Sequence, residues 1–543
     1  MIVDSQPTPA ELFEPSERAF VRPAIWPGRL FIAAMVAVCG LTVFIGLPPV
    51  VMFGHDIFFF LDNCYRVLQG QIPHRDFQSA WGPLTYLIDA VGLKLSGLRP
   101  EGLGYSTAIF GALIASWTFL LARRRVSPVA ACVAGIYTLL LITAPFSLGY
   151  GPFNFSHAMI YNRYGFALLG IILLDCSADA ADEGGGWSSG VAVGLLVFLK
   201  VTYAVVAAPL IVVVCGARLL RKRRLAALCG GALLAALVML VYLRFDLTGM
   251  LRDLIMAASG RSRSWRPREI FLLGFGQLAE SAPLIILAVV AGMSRLRWCG
   301  IAILTLTIGG FLLSTNHQPS TLPLNGFVAI LMADAFFRRD SRAPEGLLVA
   351  FLAFACIAPL CLQNGLSIFA AAREKLRPSY GGLVRLDSPR GASMIFPTSP
   401  FETETGGPAY VRAVNDGLAL LRRHTGPRDG VLTVDMMNPF NYLLDRPSPT
   451  GGLAAGAYNY VISDAAHPSG ERWAGNARYV LVRKYDPGLK DYGIENYHID
   501  GIRRIYQPTL DQRFRLLEET SHWILYGSGA VPLDRGRRPR RPA

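Results

Sequence analysis

Apolar runs of roughly 20 residues recur along this chain, and a helix of that length crosses about 30 Å of hydrocarbon. They fall at 30–52, 103–122, 127–148, 163–178, 187–200, 201–219, 225–244, 270–292, 299–315, 321–337 and 345–366. No soluble core accommodates so many. With 52% apolar residues among 543 and a mean hydropathy of +0.39, the sequence reads as a polytopic α-helical membrane protein. About 11 transmembrane helices are expected. Residues 1–29 are polar and Pro-rich, and the run after them is too long for the apolar region of a signal peptide. The N-terminal segment is therefore expected to be a cytoplasmic tail.

The formal net charge of +14 gathers in clusters between the apolar runs: Arg123 to Arg125, Arg218 to Arg224, Arg295 with Arg297, and Arg338 with Arg339. Short basic loops mark the cytoplasmic side. All four clusters keep that side only if the apolar segment 83–98 lies along the outer surface, and Asp89 and Lys94 within it fit an interfacial helix. The stretch 187–219 then holds two crossings, turning at Lys200 to Tyr203 on the outer side. The N-terminus falls inside and the C-terminus outside. Segments 53–102, 149–162, 245–269 and 316–320 share the outer face.

Beyond residue 366 the composition turns polar and rich in turn signals. Val411, Val414, Leu418 and Leu421 repeat at helical spacing, and strand-like runs occur at 431–434, 479–483, 514–517 and 523–526. Residues 367–530 are expected to form a small C-terminal α/β extracytoplasmic domain, with a basic disordered tail at 531–543. The basic residues spread over loops without a recognisable binding module, so nucleic acid is not an expected partner. Eight of nine cysteines lie in apolar runs, as small buried side chains do.

Gly54 to Leu84, directly after the first apolar run, concentrates the chemistry. Asp56 sits at the membrane edge, where a carboxylate is costly unless it has a partner or a task. It is a candidate base for an acceptor hydroxyl, or an N-cap for the helix that follows. Asp62 and Arg66 are spaced to pair along that helix. After Pro73, Arg75 can hold a phosphate and Asp76 an acceptor or metal; a local salt bridge and turn cap is the alternative. Lys200, in an otherwise apolar stretch, calls for a counter-charge such as a lipid phosphate, or snorkels to the interface. Tyr203, Asn162, Arg163 and His317 point toward the same outer space, His317 being equally consistent with a structural role. Arg261, Arg263 and Arg266 crowd an outer segment where basic residues are disfavoured, which suggests a bound phosphate or attraction to anionic headgroups. P-loop, dinucleotide, zinc-protease and nucleophile-elbow motifs are all missing from the sequence.

Asp56, the Tyr65-Arg66-Val67-Leu68-Gln69-Gly70 helix end, Arg75-Asp76-Phe77 and Gly82-Pro83-Leu84-Thr85-Tyr86 together resemble the GT-C membrane glycosyltransferases. The protein O-mannosyltransferase and aminoarabinose transferase group, glycosyltransferase families 39 and 83, is the nearest in pattern. The Gly-Leu-Leu-Val-Phe-Leu run ending in Lys200 resembles a helix of that group too. The resemblance implies inverting transfer from a polyprenyl-phosphate sugar to a glycan, lipid or protein acceptor, in a bacterial inner membrane with the C-terminal domain in the periplasm. It gives Asp56 the role of base or of partner to a divalent metal. Two positions depart: one acidic residue stands where many members carry Asp-Glu, and Trp81-Gly82 replaces the usual basic residue before Pro-Pro-Leu. A catalytically inactive binding subunit and a lipid flippase are the competing classes. A flippase would need ionisable groups at mid-membrane, and the runs hold only scattered ones such as Glu280 and Asp334.

Overall fold

The computed structural model describes residues 25–177, 185–260, 267–290, 295–316, 322–339, 344–398, 407–484 and 493–529. The helices of the first two thirds are α1 (Trp26–Ile45), α2 (Asp56–Leu68), α3 (Leu84–Leu95), α4 (Gly102–Ala122), α5 (Pro128–Thr143), α6 (Ile160–Cys176), α7 (Trp187–Leu199), α8 (Val201–Cys215), α9 (Lys222–Tyr242), α10 (Leu247–Gly260), α11 (Pro267–Gly276), α12 (Leu278–Val290), α13 (Arg295–Asn316), α14 (Leu322–Arg339) and α15 (Gly346–Leu376). Each apolar run falls on a helix, the one at 270–292 being split between α11 and α12, which bend by 76°. By length and composition α1, α4, α9 and α15 are long and apolar enough to cross a membrane, and the bent pair makes a fifth if counted as one span. Shorter apolar helices include α5, α7, α8 and the Cys299–Ser314 part of α13. Such a set fits a polytopic membrane protein.

The first run ends earlier than hydropathy alone indicates. Gly46 takes a left-handed φ of 61°, where a side chain would also meet the Cβ of Glu101 at 2.8 Å, and Pro48-Pro49 then forbid a return to helix.

Three of the basic clusters meet at one end of the bundle. Asp175, the penultimate residue of α6, pairs with Arg125 at 2.8 Å and accepts hydrogen bonds from Gly186 N, Ser189 N and Ser189 Oγ at 2.8–2.9 Å. Arg224 donates to the Asp175 carbonyl and Arg218 to that of Cys176. At the same end Asp334 accepts from Ser127 N and pairs with Arg338. The side chains of Arg295 and Arg297 lie outside the described residues.

α7 and α8 form a hairpin with a single non-helical residue at its tip. Trp187 begins and Cys215 ends next to the Asp175 end, so extended Lys200 lies at the other. Arms of 13 and 15 residues reach only about 20 Å, well short of a full hydrocarbon crossing. The turn expected over Lys200 to Tyr203 is thus narrower, because α8 starts at Val201.

The segment 83–98 is α3, whose 12 residues make about 18 Å of helix, too short to span. Its Asp89, taken from the sequence as a sign of surface exposure, is instead fully buried. Ser106 Oγ donates to it at 2.5 Å and His157 Nε2 lies at 3.5 Å, so the fold supplies the partners that water would have given.

The C-terminal region forms a four-stranded sheet, β3 (Val431–Val434), β4 (Tyr479–Arg483), β5 (Phe514–Glu519) and β6 (Trp523–Ser528), after a two-residue pair β1 (Leu383–Val384) and β2 (Phe396–Pro397). The order is β3-β4-β6-β5, with β3 and β4 parallel and the other pairs antiparallel. Val411, Val414, Leu418 and Leu421 of α16 (Pro408–His424) are buried as their spacing predicts. α17 (Phe440–Leu443), α18 (Gly470–Ala474) and α19 (Gly493–Arg513) complete the unit.

The first loop ties this unit to the bundle through the backbone of residues 446–454. Asn63 Nδ2 donates to Ala454 O, Arg66 to the carbonyls of Gly451 and Pro449, and Gln71 Nε2 to Ser448 O, at 2.6–3.2 Å. Gln69 donates to Arg446 O and accepts from Ser448 N. Arg66 is buried beside Asp62 (3.4 Å), whose carboxyl burial pushes up to about 7 despite the arginine.

Candidate functional site

Asp56 opens α2 at the end of the bundle away from the basic loops. Its carboxylate lies 3.1 Å from His55 Nε2 and keeps about a fifth of its side-chain surface exposed. The N-cap position belongs to His55, and no side-chain capping bond forms there. The carboxylate therefore does not cap, although the helix N-terminus favours its charge. Phe53, just before, holds a left-handed φ of 54°. That costs about 1 kcal/mol for a non-glycine residue and fixes the angle at which α2 enters.

One turn further on, about 5 Å along the axis, Phe59 and Phe60 begin an aromatic shelf. Phe59 meets Trp81 with ring centroids 4.6 Å apart, Phe60 meets His157 at 4.7 Å, and both approach Tyr161 at 6.2–6.3 Å. On the Tyr161 ring rests Lys200, its Nζ 4.5 Å from the centroid and 3.3 Å from Asn162 Oδ1. Met159, another left-handed non-glycine residue, sets the start of α6 and so aims Tyr161 and Asn162.

The break that presents Lys200 is held by the Trp-Gly-Pro segment. Leu199 O accepts from Gly82 N at 3.1 Å and from Thr85 Oγ1 at 2.9 Å, satisfying a carbonyl that a continuous helix would have used internally. A side chain at Gly82 would put its Cβ 2.0 Å from Phe198 O, so only glycine permits this approach.

The other residues singled out from the sequence take different places. Arg163 is not at the surface. It is buried, donates to the carbonyls of Phe146 and Leu141 and to Asn364 Oδ1, and stacks over the Phe146 ring at 4.4 Å. In the fold it ties α5, α6 and α15 together instead of standing at the outer surface. Tyr203 is also fully buried, packed against Gly165 and Phe166. Arg75 and Asp76 form the local alternative: two hydrogen bonds join them at 2.7 and 3.0 Å, and Ile72 N donates to Asp76 at 2.7 Å. Burial raises the Asp76 carboxyl, but Arg75 and the Ile72 amide outweigh it and hold it below the ordinary range. A carboxyl so held is a weaker proton acceptor than a free one. Arg261, Arg263, Arg266 and His317 lie outside the described residues. Among the described residues no three His, Cys, Asp or Glu side chains group to hold a metal ion.

Two further polar centres emerge: Asp253, which the sequence did not single out, and Asp435, which in the sequence reads as no more than a turn or core residue. Asp253 of α10 is fully buried and receives His74 Nδ1 (3.2 Å), Ser79 N (3.1 Å) and Arg472 Nη2 (3.3 Å), joining α10, the first loop and α18. Asp435 directly follows β3, beside Arg483 at the end of the parallel strand β4. Burial raises its carboxyl, with Arg483, the Met436 amide and His55 pulling it back. Charged residues at the C-terminal ends of parallel strands are a readable signal for such a site.

No family model matches this chain, and no curated protein matches it in sequence. Among solved structures it is similar to ArnT from Cupriavidus metallidurans in the apo state, at 13% identity and a TM-score of 0.47, covering 92% of this chain and 98% of that one. The same ArnT bound to undecaprenyl phosphate gives 12% identity and a TM-score of 0.46, with 93% and 99% covered. The Archaeoglobus fulgidus oligosaccharyltransferase in complex with Zn and sulfate gives 12% and 0.35, with 92% and 74% covered.

Proposed function

We propose that this chain is a membrane glycosyltransferase that moves a sugar from a polyprenyl-phosphate donor to a glycan, lipid or protein acceptor. The observation that carries the reading is Lys200, an ammonium resting on the Tyr161 ring at the break of an apolar hairpin, across the Phe59–Phe60 shelf from the start of α2, where Asp56 stands. A base and a cation at the two sides of one aromatic shelf match the two charges an inverting transfer must manage. The acceptor hydroxyl attacks the anomeric carbon while Asp56 takes its proton. The bond from that carbon to the phosphate oxygen breaks, and the polyprenyl phosphate leaves with the electron pair. Lys200 stabilises the charge developing there, and the aromatic shelf keeps bulk water off the sugar.

The resemblance of the first loop to GT-C glycosyltransferases supports the same reading. The basic loops at the Asp175 end support a cytoplasmic location for that end, and with it a periplasmic one, on a bacterial inner membrane, for the Asp56 end and the C-terminal unit. The test is reconstitution of purified protein in vesicles with a panel of labelled polyprenyl-phosphate sugars and membrane acceptors. Label transfer that Asp56→Asn abolishes supports the enzyme. Saturable binding without transfer would make the chain a binding subunit, and movement of the lipid across the bilayer without transfer a flippase; either overturns the proposal.

A further inference from the structure

A second polar cleft lies beside the half of α2 farther from Asp56, where Arg66 reaches Gly451. It has a volume of about 280 Å³ and opens between the first loop (Arg75 to Gln78) and the C-terminal unit (Thr450 to Gly452, with Arg472). Its charges are already matched. Arg75 forks onto Asp76, and Arg472 reaches Asp253 at 3.3 Å and the His74 carbonyl at 2.7 Å. A phosphate would have to compete with both carboxylates.

The unmatched group is neutral. Gln78 lines the cleft and is 1% exposed, yet neither its side-chain oxygen nor its nitrogen has a hydrogen-bond partner. An orphaned buried amide costs about 1–3 kcal/mol, so a fold that keeps one has something to set against it. Its backbone is held on both sides, the N–H donating to Gly452 O at 3.2 Å and the carbonyl accepting from Ala454 N at 2.8 Å. The residue is therefore anchored at the cleft wall by its main chain. One donor and one acceptor side by side, flanked by a carboxylate edge and two guanidinium edges, match the alternating donors and acceptors of neighbouring hydroxyls on a sugar ring. The volume sits just below the range of sites for drug-sized ligands, which suits one ring.

We propose that this cleft binds a single uncharged pyranose ring of the acceptor. The chemistry comes from the cleft's own side chains; only the assignment to the acceptor rests on the transfer reading, in which the acceptor's reacting hydroxyl sits at Asp56 and a neighbouring ring of the same acceptor reaches the cleft.

The experiment is saturation-transfer NMR on the full chain in nanodiscs, with a panel of methyl pentopyranosides and hexopyranosides and with inorganic phosphate. At least one methyl pyranoside should bind the wild type and Asp56→Asn alike, about tenfold more weakly with Gln78→Met, as loss of two hydrogen bonds implies. Thr450→Trp, which adds bulk at the rim, should abolish binding, and it carries the test if Gln78→Met fails to fold. Phosphate should not displace the ring. Binding by no sugar, binding indifferent to both variants, or displacement by phosphate would each overturn the subsite. Sugar binding without any transfer would leave the subsite standing and defeat the transfer reading instead.

Discussion

Asp175 and Asp56 are the same side chain at opposite ends of one bundle, and their surroundings differ in kind. Asp175 receives an arginine, two backbone amides and a serine hydroxyl, and is 1% exposed. Asp56 meets one neighbouring imidazole and stays open to solvent. A carboxylate enclosed by donors holds helices in register and has no lone pair to offer a substrate. One left partly open at the start of the helix that carries the aromatic shelf can accept a proton. The contrast separates structure from chemistry better than residue type does.

The largest expected effect follows from removing the open carboxylate. Asp56→Asn should lower transfer by at least 1000-fold with little change in thermal midpoint, measured on reconstituted protein. Next in size, Lys200→Met should cut kcat/KM for the lipid-linked donor by about 100-fold, as loss of one charge-stabilising group does. Lys200→Arg restoring part of that loss would sharpen the phosphate assignment; full activity in Lys200→Met would break it. Asp175→Asn should behave in the opposite way, costing about 3 kcal/mol of stability through loss of the buried charge that Arg125 pairs with, while the folded fraction keeps its turnover.

An effect seen only in the pH profile concerns Asp62. Its carboxyl is pushed up to about 7 in the folded chain against about 4 when unfolded. The folded state then binds more protons between those values, so stability falls as pH rises from about 4 to about 7. Asp62→Asn should flatten that part of the thermal-midpoint profile. An unchanged slope would mean that the pair with Arg66 is solvated.

Much of the bundle was legible because apolar runs and basic clusters are local signals. The phase they imply is visible in the meeting of Arg125, Arg218, Arg224 and Asp334 at one end. The strands at 431–434 and 479–483 were legible for the same reason. The partner of a buried polar group was not. Arg163 looks from the sequence like an exposed cation at a helix start, and only closure of the fold offers it carbonyls 17 and 22 residues away and an amide 201 away. Asp89 misled in the same manner. Asp253 draws His74 and Arg472 from 179 and 219 residues off, a convergence that no periodicity encodes.

The most direct measurement is the paired one: transfer rate and thermal midpoint for Asp56→Asn and Asp175→Asn in the same vesicles. The expected result is a double dissociation, with activity lost and stability kept at Asp56, and stability lost and activity per folded molecule kept at Asp175. Wild-type transfer by Asp56→Asn, or a loss of folding equal to that of Asp175→Asn, would contradict the assignment of Asp56 as the base.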